Sequence, residues 1–568
     1  MVRLLPPTDK TNHGALMRLI LLICFSFFTV QCGIANNYYI DDVSSNGNGS
    51  LSSPFDNFSS AFNAAYPGDT IFVLPGTYNL TKEIETQRSG TATERIVLKA
   101  FDERQKPLIT RTDRMIKVNH EYVTVDGFEF DGQFGDSELF NITSTGDYCE
   151  VKNCTLKNGT SDGLEVSDAD NVLLENLEIH HMLAGSYSNQ EDAHGIVATG
   201  EQNLTIRGCN IYYVSGDCFQ TDPNRDMPLW DNVLIENCKL WTGPLPEDAA
   251  GFYAGEVPGE NAIDTKINGN LVSSGYRPKI TIRNVEAYGF VPGFINNRAA
   301  FNIKEQVDCR MDKILVYNSE VAFRLRGPGS RGGAHVTISN CIAYDNVKIF
   351  RTEDDIELLH IYNGTFDKTE DDDYFQNVSG GYVQSGFELL NCLFMGLKPS
   401  DANHSSNMSA DNSFFVDAPN RNYHLNPNSP AINNGIDIAV VTTDFDNISR
   451  VAGNYDIGAY EYDTSTKIQG ELNPKIREFK LFNNYPNPFN PSTNISFNIV
   501  HASLVTLEIY NLLGQKIKTV LTKRLERGDY TYRWDGKNDL GKDLVGGMYF
   551  YKMTADNFSQ TKKMVLIK

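Results

Sequence analysis

"YCEVKNCTLKN" (Tyr148–Asn158) returns as "NVLLENLEIHH" (Asn171–His181), "NLTIRGCNIYY" (Asn203–Tyr213) and "NVLIENCKLWT" (Asn232–Thr242). Five more phrases follow the same pattern: "KITIRNVEAYG", "KILVYNSEVAF", "HVTISNCIAYD", "ELLHIYNGTFD" and "FELLNCLFMG". They align on Asn153, Asn176, Gly208, Asn237, Asn284, Asn318, Asn340, Asn363 and Asn391. The tightest intervals are about 22 residues, and the longer ones carry loops. A unit of that length holding two or three short strands cannot bury its own apolar face. Stacking one unit on the next does, and the result is one rung of a parallel β-helix. The expected fold class is therefore all-β.

The residue after the anchor is Cys154, Cys209, Cys238, Cys341 or Cys392 in five rungs and Leu, Val, Ser or Gly in the others. A column that accepts Cys or Leu points inward, where Cys behaves as a small hydrophobe. These cysteines are read as unpaired, and no Cys/His spacing supports zinc. His180-His181 invites a metal reading, but successive strand residues face opposite ways, so the two are not expected to share an ion. "EDDDY" (Glu370–Tyr374) reads as a solvated loop.

The chain has 568 residues, 40% of them hydrophobic, and a formal net charge of -22. The first two numbers allow a large core, and the third excludes nucleic acid as the main partner. "LILLICFSFFTV" after Met17-Arg18, followed by "QCGIA", reads as a secretion signal over residues 1–35, with Met17 as the true start. The run is too short to span a membrane, so no transmembrane segment is expected once it is removed.

"PGDTIFVLPGTY" within Tyr38–Asn79 resembles the cap and first rungs of secreted, pectate-lyase-like right-handed β-helix proteins, and "YDIGAYEY" resembles their last rungs. That resemblance implies a catalytic or binding domain over 36–463. "TSTKIQGELNPK" (464–475) reads as a linker. "YPNPFNPST", "IYNLLGQ", "GGMYFYKM" and the basic-aliphatic tail resemble the C-terminal sorting domain of type IX secretion, an immunoglobulin-like sandwich over 476–568. The resemblance implies a bacterial protein that meets the type IX machinery and ends secreted or attached to the outer-membrane surface. A monomer is expected.

After each anchor phrase a second strand aligns: Gly163–Ser167, Gly195–Thr199, Cys218–Asp222, Ala262–Lys266, Ala300–Lys304, Ala322–Arg326 and Ile349–Glu353. The second and fourth members are apolar in nearly every row, so the third and fifth are expected to face solvent. One outward column reads Glu165, Val197, Gln220, Asp264, Asn302, Arg324, Arg351, and the other Ser167, Thr199, Asp222, Lys266, Lys304, Arg326, Glu353. Rungs are about 4.8 Å apart, so the cations stack and repel unless something anionic binds. The neighbouring long loops supply Trp241, Phe252, Tyr253 and Tyr288. A cationic strand face beside aromatic loops suits an acidic sugar chain. A plain surface salt-bridge ladder, with Asp222, Asp264 and Glu353 as the partners, is the bland alternative.

The stretch from Lys304 through "VAFRLRG" resembles the catalytic stretch of polysaccharide lyase family 6, which includes alginate lyases and chondroitinase B. The resemblance implies β-elimination on a uronate, with Lys304 as base and Arg324 as the catalytic arginine, Arg326 lying one outward step further. Lys266, Asp264, Asn302, Arg351, Asp222, Trp241 and Tyr253 would bind substrate. That family often carries glutamates for calcium upstream of the lysine. Here Asn296, Asn297 and Asn302 stand in that stretch, so no calcium ligand set is clear and the reading requires no cofactor. Two other readings stand beside it. One is a polygalacturonase-like hydrolase using Asp217, Asp222 or Asp264, with His194 in a turn or on the surface. The other is a non-catalytic glycan-binding adhesin.

Overall fold

The computed structural model describes residues 35–462 and 480–567 except for brief stretches, among them 44–45, 222–228, 268–271 and 369–373. The expected signal, the 464–475 linker and Asp222 lie outside the described residues, as does most of "EDDDY". The chain divides into two compact units. One comprises residues 1–361, 366–389 and 399–401, the other 362–365, 390–398 and 402–568.

All nine anchors have left-handed backbone, from Asn340 at φ 47° to Gly208 at φ 66°. This accounts for the composition of the column. Left-handed backbone costs most residues about 1–2 kcal/mol, and Gly and Asn tolerate it best. In the first unit the anchor is the corner between two strand segments of one rung, as Glu150–Lys152 and Thr155–Gly159 flank Asn153. Asn318 is the exception and corrects the alignment: Arg283 pairs with Asp312 and Asp312 with Ser339, so Lys313 (φ 57°) is the corner between Asn284 and Asn340, and Asn318 lies past the end of that strand at Tyr317. The corners are laced together by their amides. Asn176 Nδ2 donates to Asn153 Oδ1 at 3.2 Å, and Asn284 Nδ2 to Asn237 Oδ1 at 2.5 Å. Asn237→Ala should therefore cost about 1–2 kcal/mol in equilibrium denaturation, and Asn237→Gly clearly less, since glycine restores the backbone but not the amide bond.

Each corner residue's successor turns inward. Cys154, Cys209, Cys238, Cys341 and Cys392 are at most 3% exposed, and none forms a disulfide. On the third side of each rung a strand joins an eleven-stranded parallel sheet, running in chain order from Ile84–Glu85 to Phe375–Val378. Its inner face carries a stack of phenylalanines. Phe301, Phe323, Phe350 and Phe375 follow one another with centroids 5.4, 5.4 and 4.7 Å apart. In the second unit, a three-stranded and a four-stranded antiparallel sheet between Lys480 and Leu566 enclose one core built on Trp534, Phe497 and Tyr551.

Candidate active site

The eleven-stranded sheet realises the first aligned column residue for residue. Glu165 pairs with Val197, Val197 with Gln220, Gln220 with Asp264, Asp264 with Asn302, Asn302 with Arg324 and Arg324 with Arg351. In the second column Ser167 pairs with Thr199 and Arg326 with Glu353. The expectation that these positions face solvent needs correction. Gln220, Asp264, Asn302 and Glu353 are only 2–5% exposed. They form the floor of a polar site, and the longer cationic side chains lie over them.

The cations are not bare, which corrects the picture of stacked like charges. Lys304 Nζ lies 2.9 Å and Lys266 Nζ 3.6 Å from Asp264 Oδ2. Lys266 also donates to Gln220 Oε1 at 2.6 Å, and Asn302 donates to Asp264 Oδ1 at 3.0 Å. Further along, Arg324 reaches Glu353 through Nε (3.0 Å) and Nη2 (3.3 Å). Arg351 Nε donates to Glu353 Oε1, and Arg326 Nε lies 3.2 Å from Oε2. Close guanidinium partners hold the Glu353 carboxyl below its usual range even though burial opposes them. The ion pairs foreseen with Asp264 and Glu353 as the bland alternative are therefore present. Two features separate them from exposed surface pairs: Asp264 and Glu353 are buried, and two and three cations converge on single carboxylates.

Two threonines missed as functional hold the lysines. Strand pairing ends at Asp264 and Ile303, so the main chains of Lys266 and Lys304 lack regular ladder partners. Thr221 Oγ1 accepts from Lys266 N (2.6 Å) and donates to Lys266 O (2.8 Å). Thr265 Oγ1 does the same for Lys304, at 2.8 and 2.9 Å. Both threonines are fully buried. The signal lay in the alignment, where Thr221, Thr265 and Thr352 break the otherwise aliphatic fourth column. Thr265→Val leaves two main-chain groups unpaired and should cost about 2 kcal/mol in denaturant unfolding, with Thr265→Ser recovering most of it.

A second column, two residues before the apolar strand positions, was also missed. Asp162, His194, Asp217 and Asn261 each accept from a main-chain N–H of the next rung. The bonds are His194 N to Asp162 Oδ1 (2.8 Å), Asp217 N to His194 Nδ1 (2.7 Å), Asn261 N to Asp217 Oδ1 (3.1 Å) and Ala299 N to Asn261 Oδ1 (3.2 Å). His194 is thus a buried turn residue, not a surface one. Its accepting Nδ1 places the ring proton on Nε2, and burial lowers its pKa. Gly216 permits the close approach, since a Cβ there would lie 2.4 Å from His194 Nδ1. Burial pushes Asp217 up to about 8, with the charge of Asp264 adding to it, and lifts Glu260 likewise to about 8. Two acids beside the lysine pair are thus held protonated at neutral pH.

Trp241 does not join the cations. It lies in an outward aromatic column of the other sheet, between Tyr212 (4.6 Å) and Tyr288 (5.5 Å), which continues to Tyr317 and Tyr344. Both of its faces are covered, so it has no platform left for a sugar ring. Tyr253 is 67% exposed, on a loop pinned by buried Phe252 against Leu183 and Leu245. His180 and His181 do meet, Nδ1 to Nδ1 at 2.6 Å, because His181 has φ 57° and escapes strand alternation. Among the described residues no group of three or more His, Cys, Asp or Glu is placed to hold a metal ion.

Residues 38–305 match the family model described as Pel9A-like, right handed beta helix region, and residues 483–568 match the secretion system C-terminal sorting domain. Pectate lyase PEL9 of Emericella nidulans is 26% identical over 335 residues, which cover 55% of this chain and 68% of that protein. Among solved structures, a rhamnogalacturonan lyase aligns with TM-score 0.46 and 14% identity over 67% of this chain and 91% of its own. Pectate lyase Pel9A aligns with TM-score 0.42 and 17% identity over 76% and 97%. A mannuronic acid specific polysaccharide family 6 lyase from human gut microbiota gives 0.37 and 11% over 66% and 91%. No helix among the described residues is long and apolar enough to cross a membrane. The chain thus carries a Pel9A-like right-handed β-helix region over residues 38–305 and a secretion sorting domain over 483–568, and it is a secreted or surface-attached bacterial protein.

Proposed function

We propose that the protein is a polysaccharide lyase that cleaves a uronate-containing polymer by β-elimination, with Lys304 as the base. One observation carries the reading: Lys304 Nζ stands 2.9 Å from buried Asp264 on a cationic sheet face. A base that gains a positive charge in the transition state is stabilised by a fixed anion at that distance. The Pel9A-like match over this part of the chain and the similarity to a curated pectate lyase support the same class.

In this scheme Lys266 takes the uronate carboxylate, which acidifies the adjacent C5 proton. Neutral Lys304 accepts that proton, and the C5–H electrons form the C4–C5 double bond. The C4–O bond breaks, and the departing oxygen takes up a proton from water. In the scheme Arg324, one rung on, stabilises the negative charge on that oxygen. The scheme needs no redox or nucleotide cofactor. Asp217 does not suit hydrolysis as an exposed partner carboxylate, since it is 1% exposed and bonded to Asn261 within the Asp162–His194–Asp217–Asn261 column.

Mass spectrometry of products from pectate, alginate and glycosaminoglycan polymers tests the proposal. Elimination gives fragments lighter by one water than hydrolysis gives from the same chain. Hydrolytic masses alone, or no cleavage of any polymer with a folded protein, would sink the lyase reading.

A further inference from the structure

We propose that Arg326 and Arg351, gathered on Glu353, form a second anion subsite. It takes the carboxylate of another uronate in the chain, one or two residues from the sugar that Lys304 attacks. The inference rests on the lyase reading for the position of that sugar, but not for the binding itself.

Charge counting motivates it. The sheet carries two cationic nodes. Lys266 and Lys304 share Asp264, and the acids raised beside them, Asp217 and Glu260, are protonated at neutral pH. Arg324, Arg326 and Arg351 share Glu353, with Asp354 3.7 Å from Arg326. The arginine node thus holds one cation more than its carboxylates, in a chain whose net charge is -22. One uronate carboxylate neutralises it, while Lys266 takes that of the sugar under attack.

Geometry points the same way. Lys304 follows the Ala299–Ile303 strand, Arg326 ends the next rung's strand, and Arg351 lies on the rung after that. At about 4.8 Å per rung, the second node begins 5 Å and ends about 10 Å along the sheet from the first. An extended sugar chain advances by a similar step per residue. The guanidiniums have donors to spare. Arg326 meets Glu353 through Nε at 3.2 Å and Asp354 through Nη2 at 3.7 Å, which engages only part of its five-donor fork. Arg351 is braced by Gln376 through Nη1 at 2.7 Å, which fixes its plane. A fixed, planar fork suits a carboxylate better than a flexible ammonium does. The arginine node lies beyond the residues matched by the Pel9A-like model, which end at 305, so it is a feature of this chain's later rungs.

Binding, measured apart from turnover, tests the subsite. Calorimetry on the full Lys304→Ala protein would use saturated oligogalacturonate and oligomannuronate hexamers, and the same sugars with their carboxyls reduced. The acidic hexamer of the right polymer should bind and its reduced form should not. Adding Arg326→Gln or Arg351→Gln should weaken binding on the order of tenfold and flatten its salt dependence. Arg326→Lys, which keeps the charge but loses the fork, should fall between. Two results would overturn the subsite: unchanged affinity in both glutamine variants with unaltered thermal unfolding, or no binding of any acidic hexamer. If arginine-dependent binding is found while the wild type releases no unsaturated product, the lyase reading fails and the subsite stands.

Discussion

Lys304→Ala is expected to abolish formation of unsaturated product, with a loss of about a thousandfold or more. The loss should appear in kcat rather than in KM, because Lys266 and the arginines remain to hold the sugar. Folding should survive. The Lys304 main chain is clamped by Thr265, and Asp264 keeps Lys266 and Asn302 as partners. Thermal unfolding within a few degrees of wild type would confirm that the loss is chemical. Asp264→Asn should also slow the reaction, by removing the anion that stabilises the protonated lysine. A Lys304→Ala protein that retained activity within tenfold of wild type would remove Lys304 from the base role.

Asp217→Asn should change the pH dependence of stability more than stability itself. The folded Asp217 carboxyl titrates near 8, raised by burial from an ordinary value of 3.8. Between those values the folded chain holds a proton that the unfolded chain has released. The stabilisation from this group is therefore complete below about pH 4 and is lost as pH rises toward 8 and beyond. One such proton corresponds to about 1.4 kcal/mol per pH unit. Glu260 acts with the same sign, so wild-type stability should fall steeply between pH 5 and 8. Asparagine mimics the protonated acid and can still accept from Asn261. Denaturant unfolding of Asp217→Asn at pH 5, 6.5 and 8 should show a clearly shallower decline, the gap widening at the alkaline end. Parallel declines would mean that Asp217 is ionised in the folded protein at neutral pH.

Much of the molecule was legible because a β-helix writes its geometry into columns. The anchors were found as a pattern, and they prove to be left-handed corners where Asn or Gly is favoured, except that Lys313 rather than Asn318 holds the corner of its rung. The strand alignment placed Asp264, Asn302, Arg324 and Arg351 side by side, and the register agrees. What the columns could not convey was depth. Alternation marks which side of a sheet a residue leaves from, not whether longer neighbours then cover it. Asp264 and Glu353 were read as outward and are buried beneath the cations they bind. Proximity between sheets was equally out of reach. Trp241 was assigned to the sugar site from its loop, yet it belongs to a strand whose neighbours cover both ring faces. His180 and His181 defeated the alternation rule because one residue is left-handed, a change that two adjacent histidines do not announce. The Asp162–His194–Asp217–Asn261 column could have been read, since its members occupy one position of the alignment. It was passed over because the polar residues there differ in type while performing one task.

The most direct test of the account is a crystal structure of the Lys304→Ala protein with a uronate hexamer that the wild type cleaves. The account predicts sugar along the sheet face between Gln220 and Glu353. One carboxylate should lie within bonding distance of Lys266 and a second at Arg326 and Arg351, and a C5 hydrogen should point toward the space left at position 304. Sugar ordered on the aromatic column or at the sorting domain, with this sheet face empty, would contradict it.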